Sequence, residues 1–178
     1  IAAHVLRCSR VDVIAHPEQE MKDRESAEFL GLVEKRVSRY PLAYIVGHRE
    51  FYGIDIIVER GVLTPRPETE TLVEECLKRL RAVPHPVIAD IGAGSGAIAV
   101  ALSVNLPEGK VYATEISDVA LKVAQRNIEK QMLFGRVTAL LGDLLEPLSG
   151  IELDAIVSNP PYIASDAIPL LMSPTCPG

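Results

Sequence analysis

The sequence predicts an α/β fold built on a parallel sheet, and two observations support this prediction. Between residues 87 and 157, short apolar runs alternate with helical patterns, which is the order of strand–helix–strand units. The first run ends in a glycine-rich turn, Asp90–Gly96, of the kind that lets the backbone approach a ligand closely. We therefore expect a parallel sheet with helices on both of its faces.

Composition and charge describe an ordinary folded protein without a general affinity for nucleic acid. The chain has 178 residues, 48% hydrophobic and 24% charged, with a net charge of −6. It is long enough for one domain with a small appendage, and its acidic balance provides no basic field for a phosphate backbone. It contains no apolar run of the roughly 18 residues that a membrane span needs, and no visible signal peptide.

Cysteines and histidines are too scattered to indicate a disulfide framework or a metal site. They are Cys8, Cys76, Cys176, His4, His16, His48 and His85. This usage fits a reducing, cytoplasmic location, and we expect a monomer with no metal. Because the chain begins at Ile1 and ends at Gly178 after a proline-containing tail, we interpret it as a fragment.

Residues 1–39 are predicted to be part of a helical domain. Residues 1–14 are typical of the end of one helix, and residues 17–39 of a second, with Pro17 near its start. Apolar residues recur on the second helix at three- and four-residue spacing: Ala27, Leu30, Val33 and Val37. This stripe is expected to pack on the preceding helix, and a docking surface for a protein partner is the alternative.

Residues 40–86 are predicted to hold a β-hairpin followed by a helix and a linker. β-Branched and aromatic residues indicate strands at Tyr44–Val46 and Ile54–Val58, with turns at Gly47 and Gly53.

The hairpin is followed by a rigid turn, Thr64–Glu70, that leads into a helix of about Glu68–Leu80. Acidic residues at the start of this helix and basic residues at its end complement the helix dipole. Residues 83–86 then form a short, stiff linker.

Residues 87–178 are predicted to form a truncated sheet domain. The expected strands are 87–91, 111–114, 137–141 and 153–157, and the expected helices start at about Ser95 and run from Ser117 to about Lys130. Ser117 is a suitable N-cap for the second of these helices.

Polar side chains follow the predicted strands at the edge where such sheets bind ligands. Asp90 precedes the first glycine, Glu115 ends the next strand, Asp143 and Leu144 follow the third strand, and Asn159 follows the fourth. We expect these residues to converge on one crevice that holds a nucleotide-like cofactor. Asp90 would face an ammonium group or its water, Glu115 the ribose hydroxyls, Asp143 the adenine amino group and Leu144 the adenine ring.

The glycine turn supplies the other expected cofactor contacts: Gly92, Ala93, Gly94, Ser95 and Gly96. A helix N-terminus beside the turn offers free N–H groups and partial positive charge. By itself the spacing of Gly92, Gly94 and Ala97 also fits a dinucleotide-binding fingerprint.

The most informative motif is Asn159-Pro160-Pro161-Tyr162 at the end of the last apolar run. The Asn159 side-chain oxygen and the Pro160 carbonyl can each accept one N–H of a planar –NH2 group, while Tyr162 lies against its face. Pro160 and Pro161 stiffen the loop and add no competing N–H donor. Beside a cofactor site, these acceptors indicate methyl transfer to an amide or amino nitrogen.

On these motifs the chain resembles the protein-(glutamine-N5) methyltransferases that modify peptide chain release factors. The resemblance extends from Ile1 to Tyr162 and rests on the segments 41–45, 49–53, 64–70, 90–96 and 159–162. It implies S-adenosylmethionine as methyl donor and the glutamine of a Gly-Gly-Gln loop in a release factor as acceptor. It also implies a Rossmann-like methyltransferase domain, incomplete here, preceded by a partial helical substrate-recognition domain and a β-hairpin.

The chain departs from that family at both ends. The helical domain starts partway through, and after Ile163 residues 164–178 replace the family's further strands. The resemblance implies the strand order 3-2-1-4, with the fourth strand as a bare edge. We therefore expect weak or no turnover from this fragment.

Four alternatives stay open on the sequence. A ribosomal-protein glutamine methyltransferase is the nearest alternative, although the sequence of the segment Arg66–Glu70 favours the release-factor branch. DNA adenine-N6 methyltransferases share the Asn-Pro-Pro-Tyr motif, but the acidic balance argues against direct nucleic-acid binding. A nicotinamide dehydrogenase leaves residues 159–162 unexplained. A cofactor-binding or docking fragment without catalysis is the fourth alternative.

Overall fold

A computed structural model describes residues 1–160 of the chain, and its N-terminal part consists of four helices. These are α1 (Ala2–Leu6), α2 (Arg10–Ala15), α3 (Asp23–Val37) and α4 (Leu42–Val46). The single helix predicted for residues 1–14 is wrong. Arg7 ends α1 in the left-handed conformation, with φ 53°, and Ser9 starts α2 through a reciprocal capping box with Asp12.

The helix predicted from Pro17 starts later, at Asp23. The Lys22 N–H donates to Glu25 Oε2 at 2.8 Å and closes the helix N-terminus there. Leu30 and Val37 of the predicted apolar stripe are 59% and 77% exposed, so this stripe is only partly covered in the described residues.

The strand predicted at Tyr44–Val46 is also wrong, because these residues belong to α4. The Pro41 carbonyl accepts the N–H groups of Tyr44 and Ile45, and Gly47 ends the helix with φ 79°. The hairpin instead pairs β1 (His48–Phe51) with β2 (Ile54–Ile57). Its second strand and the turn at Gly53, with φ 72°, are as predicted.

Within residues 1–160 the main sheet is parallel and has four strands in the order β5-β4-β3-β6. They are β3 (Val87–Ile91), β4 (Lys110–Glu115), β5 (Val137–Leu141) and β6 (Ala155–Ser158). This confirms the expected order 3-2-1-4, and among the described residues the fourth strand lies at an edge. The register places Ile91 opposite Thr114 on one side and Ser158 on the other, so three strands end at the same level.

Within residues 1–160, long helices cover only one face of this sheet, which differs from the prediction. They are α5 (Glu70–Leu80), α6 (Ala97–Asn105) and α7 (Asp118–Lys130), and they pack on Ile88, Val111, Ala113, Val137 and Val157. Right-handed crossovers that step in one direction place α6 and α7 on the same side. On the other face, Leu148 packs on Ala89 and Ile91.

The hairpin is joined to the sheet domain through α7. Asn127 is fully buried; its Oδ1 accepts the Ile57 N–H at 2.7 Å, and its Nδ2 donates to the carbonyls of Ile57 and Ser95 at 3.0 and 2.9 Å. Ion pairs of Arg126 with Glu59 and of Lys130 with Asp55 flank this contact. No helix in the described part of the chain is long and apolar enough to cross a membrane.

Candidate active site

A cavity of about 430 Å³ opens at the carboxyl edge of the parallel sheet. Its walls come from residues 61–63, Ile91, Gly92, Gly94, residues 114–117, Ala120, residues 142–144 and residues 158–160. The predicted convergence is therefore present for the residues named after the second, third and fourth strands, which share this cavity, but not for Asp90, which does not line it. The segment 61–63, which leads into the Thr64–Glu70 turn, closes one side.

The glycine turn reaches the cavity through Gly92 and Gly94. Both have positive φ, 68° and 57°, and nothing lies within 4 Å of where a Cβ would be, so the backbone faces open space there. The N–H groups of Gly92 and Ala93 both donate to the Thr114 carbonyl, at 2.9 and 3.0 Å. These bonds hold the turn against the end of β4.

The other predicted turn residues do not line the cavity. Ser95 is buried, and its carbonyl accepts the Asn127 side-chain N–H. Gly96 has φ 74° and caps α6, and a Cβ there would meet the Ala124 Cβ at 3.0 Å. Gly96 therefore serves the close approach of α6 to α7.

Glu115 lines the cavity and also braces its walls. Its Oε2 accepts the Gly94 N–H at 2.8 Å, and its Oε1 accepts the Ser117 N–H at 2.9 Å. Glu115 is 9% exposed. Each of its carboxylate oxygens has a further lone pair that can accept another hydrogen bond. Glu115 can thus accept hydroxyl hydrogens while it holds the glycine turn and the start of α7.

Asp90 lies behind the turn, outside the cavity wall. The residue is fully buried, and its Oδ2 accepts the Ala99 N–H of α6 at 3.0 Å. Its Oδ1 has no hydrogen-bond partner among the described residues. Burial raises the pKa of Asp90 to about 7; the Ala99 N–H acts in the opposite direction, and the Glu115 charge in the same one.

Asp143 and Leu144 stand where the sequence predicted, on the cavity wall after β5. The Gly142 N–H donates to the Glu115 carbonyl at 3.1 Å, which fixes the start of this loop beside β4. Leu144 is 64% exposed and has φ 45°, so an apolar side chain is presented at the mouth of the cavity.

Asn159 borders two cavities. Besides the first, it lines a second of about 510 Å³ together with Arg66, Pro67, Glu68, Thr69 and Leu72. Its Nδ2 donates to Thr69 Oγ at 3.2 Å. Pro160 lines the first cavity, whereas Pro161 and Tyr162 lie outside the described residues.

Sequence reasoning missed two side chains that hold this region. The Ser158 hydroxyl donates to the Ile91 carbonyl at 2.9 Å and ties the end of β6 to the glycine turn. Thr69, the partner of Asn159, lies in the segment 64–70, whose sequence motif contributed to the family resemblance. The motif marked Thr69 as a residue of interest, but nothing in the sequence indicated contact with Asn159, which is 90 residues away.

Comparison with known proteins gives two family matches. The methyltransferase small domain matches residues 68–172, and the PrmC N-terminal domain matches residues 1–47.

Within residues 1–160, no group of three or more His, Cys, Asp or Glu side chains is placed to hold a metal ion.

Curated relatives carry the name release factor glutamine methyltransferase. The protein from Moorella thermoacetica is 47% identical over 161 residues, which are 90% of this chain and 57% of that protein. The one from Rhodopirellula baltica is 43% identical over 169 residues, again 57% of its length. The chain therefore spans just over half the length of these relatives.

Solved structures agree on the fold. The hMettl16 catalytic domain has a TM-score of 0.56 at 21% identity, covering 88% of this chain and 52% of that one. Human methyltransferase 10 domain containing protein has a TM-score of 0.53 at 21% identity, covering 83% and 67%. The α/β prediction is confirmed by these likenesses and by the described sheet.

Proposed function

The chain belongs to the methyltransferase small domain family, and from this premise we propose that the protein transfers a methyl group to a protein glutamine. The donor is S-adenosylmethionine, and the acceptor is the side-chain amide nitrogen of the glutamine in the Gly-Gly-Gln loop of a peptide chain release factor. The names of the relatives at 47% and 43% identity support this assignment. Release factors act in the cytoplasm, and we place the protein there.

The residues of the first cavity fit S-adenosylmethionine. Gly92 and Gly94 leave the backbone open to a close ligand, Glu115 offers carboxylate lone pairs for ribose hydroxyls, and Asp143 and Leu144 offer an acceptor and an apolar face for adenine. Asp90 supports the turn from behind, with Ala93, Ser95 and Gly96. When bound, the cofactor supplies an electrophilic methyl group on a sulfonium sulfur.

Asn159 and Pro160 hold the acceptor. An amide nitrogen is a weak nucleophile because its lone pair is delocalised into the carbonyl. Asn159 Oδ1 and the Pro160 carbonyl accept its two N–H groups, which aims the nitrogen and favours pyramidalisation as positive charge develops. Once it carries the methyl group, the nitrogen is positively charged and loses a proton readily, so no general base acts before attack. Pro161 and Tyr162 complete the acceptor site in this proposal.

The observation that carries the proposal is the position of Asn159 between two cavities. The first cavity contains the glycine turn and Glu115, and the second is formed by residues 66–69 and Leu72. The donor occupies the first and the target side chain enters from the second, so that the two meet at Asn159. Residues 1–39 form the substrate-recognition domain, residues 40–86 the connection, and residues 87–178 the catalytic part.

A transfer assay tests this function. Methyl-labelled S-adenosylmethionine is incubated with the protein as encoded, a release factor, ribosomal proteins and an adenine-containing duplex, and the products are separated by size. We expect label on the release factor alone, lost when its loop glutamine is changed to alanine. Asn159→Ala should lower the rate by roughly 10²–10³-fold, as for loss of a group that holds the transition state.

Asn105→Ala is the matched control, because Asn105 does not line either cavity and its Nδ2 donates to the Ala101 carbonyl within α6. This variant should keep the normal rate. Label on a ribosomal protein or on the duplex would replace the release factor with that acceptor, and an unchanged rate in Asn159→Ala would overturn the assigned mechanism.

A further inference from the structure

We propose that Thr69 is a positioning residue, which holds the Asn159 side chain so that Oδ1 faces the acceptor. This inference rests on the proposed function. Its starting observation is the hydrogen bond from Asn159 Nδ2 to Thr69 Oγ, at 3.2 Å, between two partly buried side chains.

The two orientations of an asparagine amide present different groups to a neighbouring molecule, either the carbonyl oxygen or the –NH2 group. With Nδ2 turned toward Thr69, the carbonyl oxygen is left to accept an incoming N–H. With the amide turned over, Asn159 would present N–H donors to a substrate –NH2 group, and donor would meet donor. In the structure the Thr69 hydroxyl oxygen accepts the Nδ2 hydrogen, which leaves Oδ1 on the other side of the amide and available to the acceptor.

Thr69 itself is held from two directions. It ends a 3-10 turn, Pro67–Thr69, in which its N–H donates to the Arg66 carbonyl at 3.0 Å. The next residue, Glu70, starts α5, and its Oε1 accepts the Tyr52 N–H in the turn of the hairpin at 2.9 Å. The backbone at Thr69 is thus held by both α5 and the hairpin.

The backbone that carries Asn159 is fixed independently of Thr69. Ser158 pairs with Ile91 in the parallel ladder, and its hydroxyl donates to the Ile91 carbonyl. With the backbone held in this way, rotation of the Asn159 side chain is the freedom that remains. Thr69 restricts that rotation.

The kinetic test compares Thr69→Val with Thr69→Ser in the protein as encoded. Valine keeps the shape and removes the hydroxyl, whereas serine keeps the hydroxyl. We expect kcat for release-factor methylation to fall about tenfold or more in Thr69→Val, the factor that corresponds to about 1.4 kcal/mol of lost transition-state stabilisation. Thr69→Ser should stay within about threefold of the wild type, and KM for S-adenosylmethionine should change little in either variant.

Thr71→Val is the matched control, because Thr71 is an exposed residue two positions along the same segment. It should leave kcat unchanged. Equal kcat values in Thr69→Val and Thr69→Ser would overturn the proposal, as would an equal loss in Thr71→Val.

A second readout does not depend on activity. The side-chain N–H resonances of Asn159, assigned by their loss in Asn159→Asp, should shift in Thr69→Val and stay in place in Thr69→Ser and Thr71→Val. Resonances that do not respond to Thr69→Val would overturn the proposal even in an active enzyme. If the wild type failed to label any release factor, the proposed function would fall, and this measurement would still decide the role of Thr69.

Discussion

At the scale of single residues, Asp90 has the most unusual environment in the described chain. Its carboxyl is fully buried between the glycine turn and α6, with one oxygen bonded to the Ala99 N–H and the other without a partner among residues 1–160. The pKa of about 7 that results from this burial means that the group titrates near neutral pH. Its protonation is therefore linked to the stability of the fold.

We predict that the stability of the protein falls between about pH 4 and pH 7 because of Asp90. The unfolded chain releases this proton near 3.8 and the folded chain near 7, so the folded state binds more protons in this window and rising pH disfavours it. At about 1.36 kcal/mol per pH unit, the difference amounts to roughly 4 kcal/mol. Asp90→Asn should abolish this contribution.

Urea unfolding at several pH values measures the effect. The difference between wild type and Asp90→Asn isolates Asp90, since carboxyls with lowered pKa values, such as those of Asp55 and Glu59, contribute equally to both proteins. Asp143→Asn makes the same chemical change at an exposed position and should retain the wild-type slope. Parallel pH profiles for wild type and Asp90→Asn would contradict the prediction.

At the scale of elements, local capping signals decided where helices begin and end. Ser117 was predicted as an N-cap, and its Oγ accepts the Ala120 N–H at 3.3 Å at the start of α7. In segment 44–46 the β-branched residues predicted a strand, but the segment is helical, because Pro41 starts a helical turn there and Gly47 ends it. Strand propensity is a weak preference that hydrogen bonds to flanking residues can override.

The contact between α6 and α7 depends on Gly96, and Gly96→Ala should destabilise the fold. The added Cβ would lie 3.0 Å from Ala124 Cβ and 3.3 Å from its Cα, in a backbone with φ 74°. Left-handed backbone costs about 1–2 kcal/mol for a residue with a side chain, and overpacking typically adds about 1–3 kcal/mol. We expect a total loss of roughly 2–5 kcal/mol in the free energy of unfolding.

Gly135→Ala separates the two contributions. Gly135 has a similar φ of 79°, but nothing lies within 4 Å of its added Cβ, so this variant should lose only the backbone part. Urea unfolding of both variants gives the comparison. Equal losses would show that the approach of α6 to α7 has no energetic consequence at Gly96.

At the scale of the whole molecule, Asn127 joins the hairpin to the sheet domain. Its side chain satisfies both backbone groups of Ile57 on β2 and also the Ser95 carbonyl in the glycine turn. One amide thus couples the hairpin, α7 and the glycine turn. The Tyr44 hydroxyl adds a second link, since it donates to the Val62 carbonyl at 2.8 Å, next to the same cavity.

We predict that Asn127→Ala destabilises the protein by about 3 kcal/mol or more and exposes the Ile57 amide to exchange. The substitution leaves partly or fully buried backbone groups without partners, each of which costs about 1–3 kcal/mol. Urea unfolding measures the first effect, and hydrogen exchange at Ile57 measures the second.

Arg126→Ala is the control for the same joint, because Arg126 and Glu59 form an exposed ion pair beside Asn127. Exposed ion pairs contribute at most about 1 kcal/mol, so this variant should be nearly as stable as the wild type. If both variants lost equal stability, charge pairing rather than the buried amide would hold the hairpin in place.

The sequence by itself determined the α/β class, the helices and strands of residues 87–158 and the cavity-facing positions Glu115, Asp143 and Asn159. These follow from apolar periodicity and from the rule that parallel strands present their carboxyl ends at one edge. Only the tertiary structure decided that Asp90 lies behind the turn, that Gly96 serves helix packing and that Thr69 contacts Asn159. The reason is that burial, close approach and contacts between distant segments arise when elements pack against each other, and a local pattern carries no information about them.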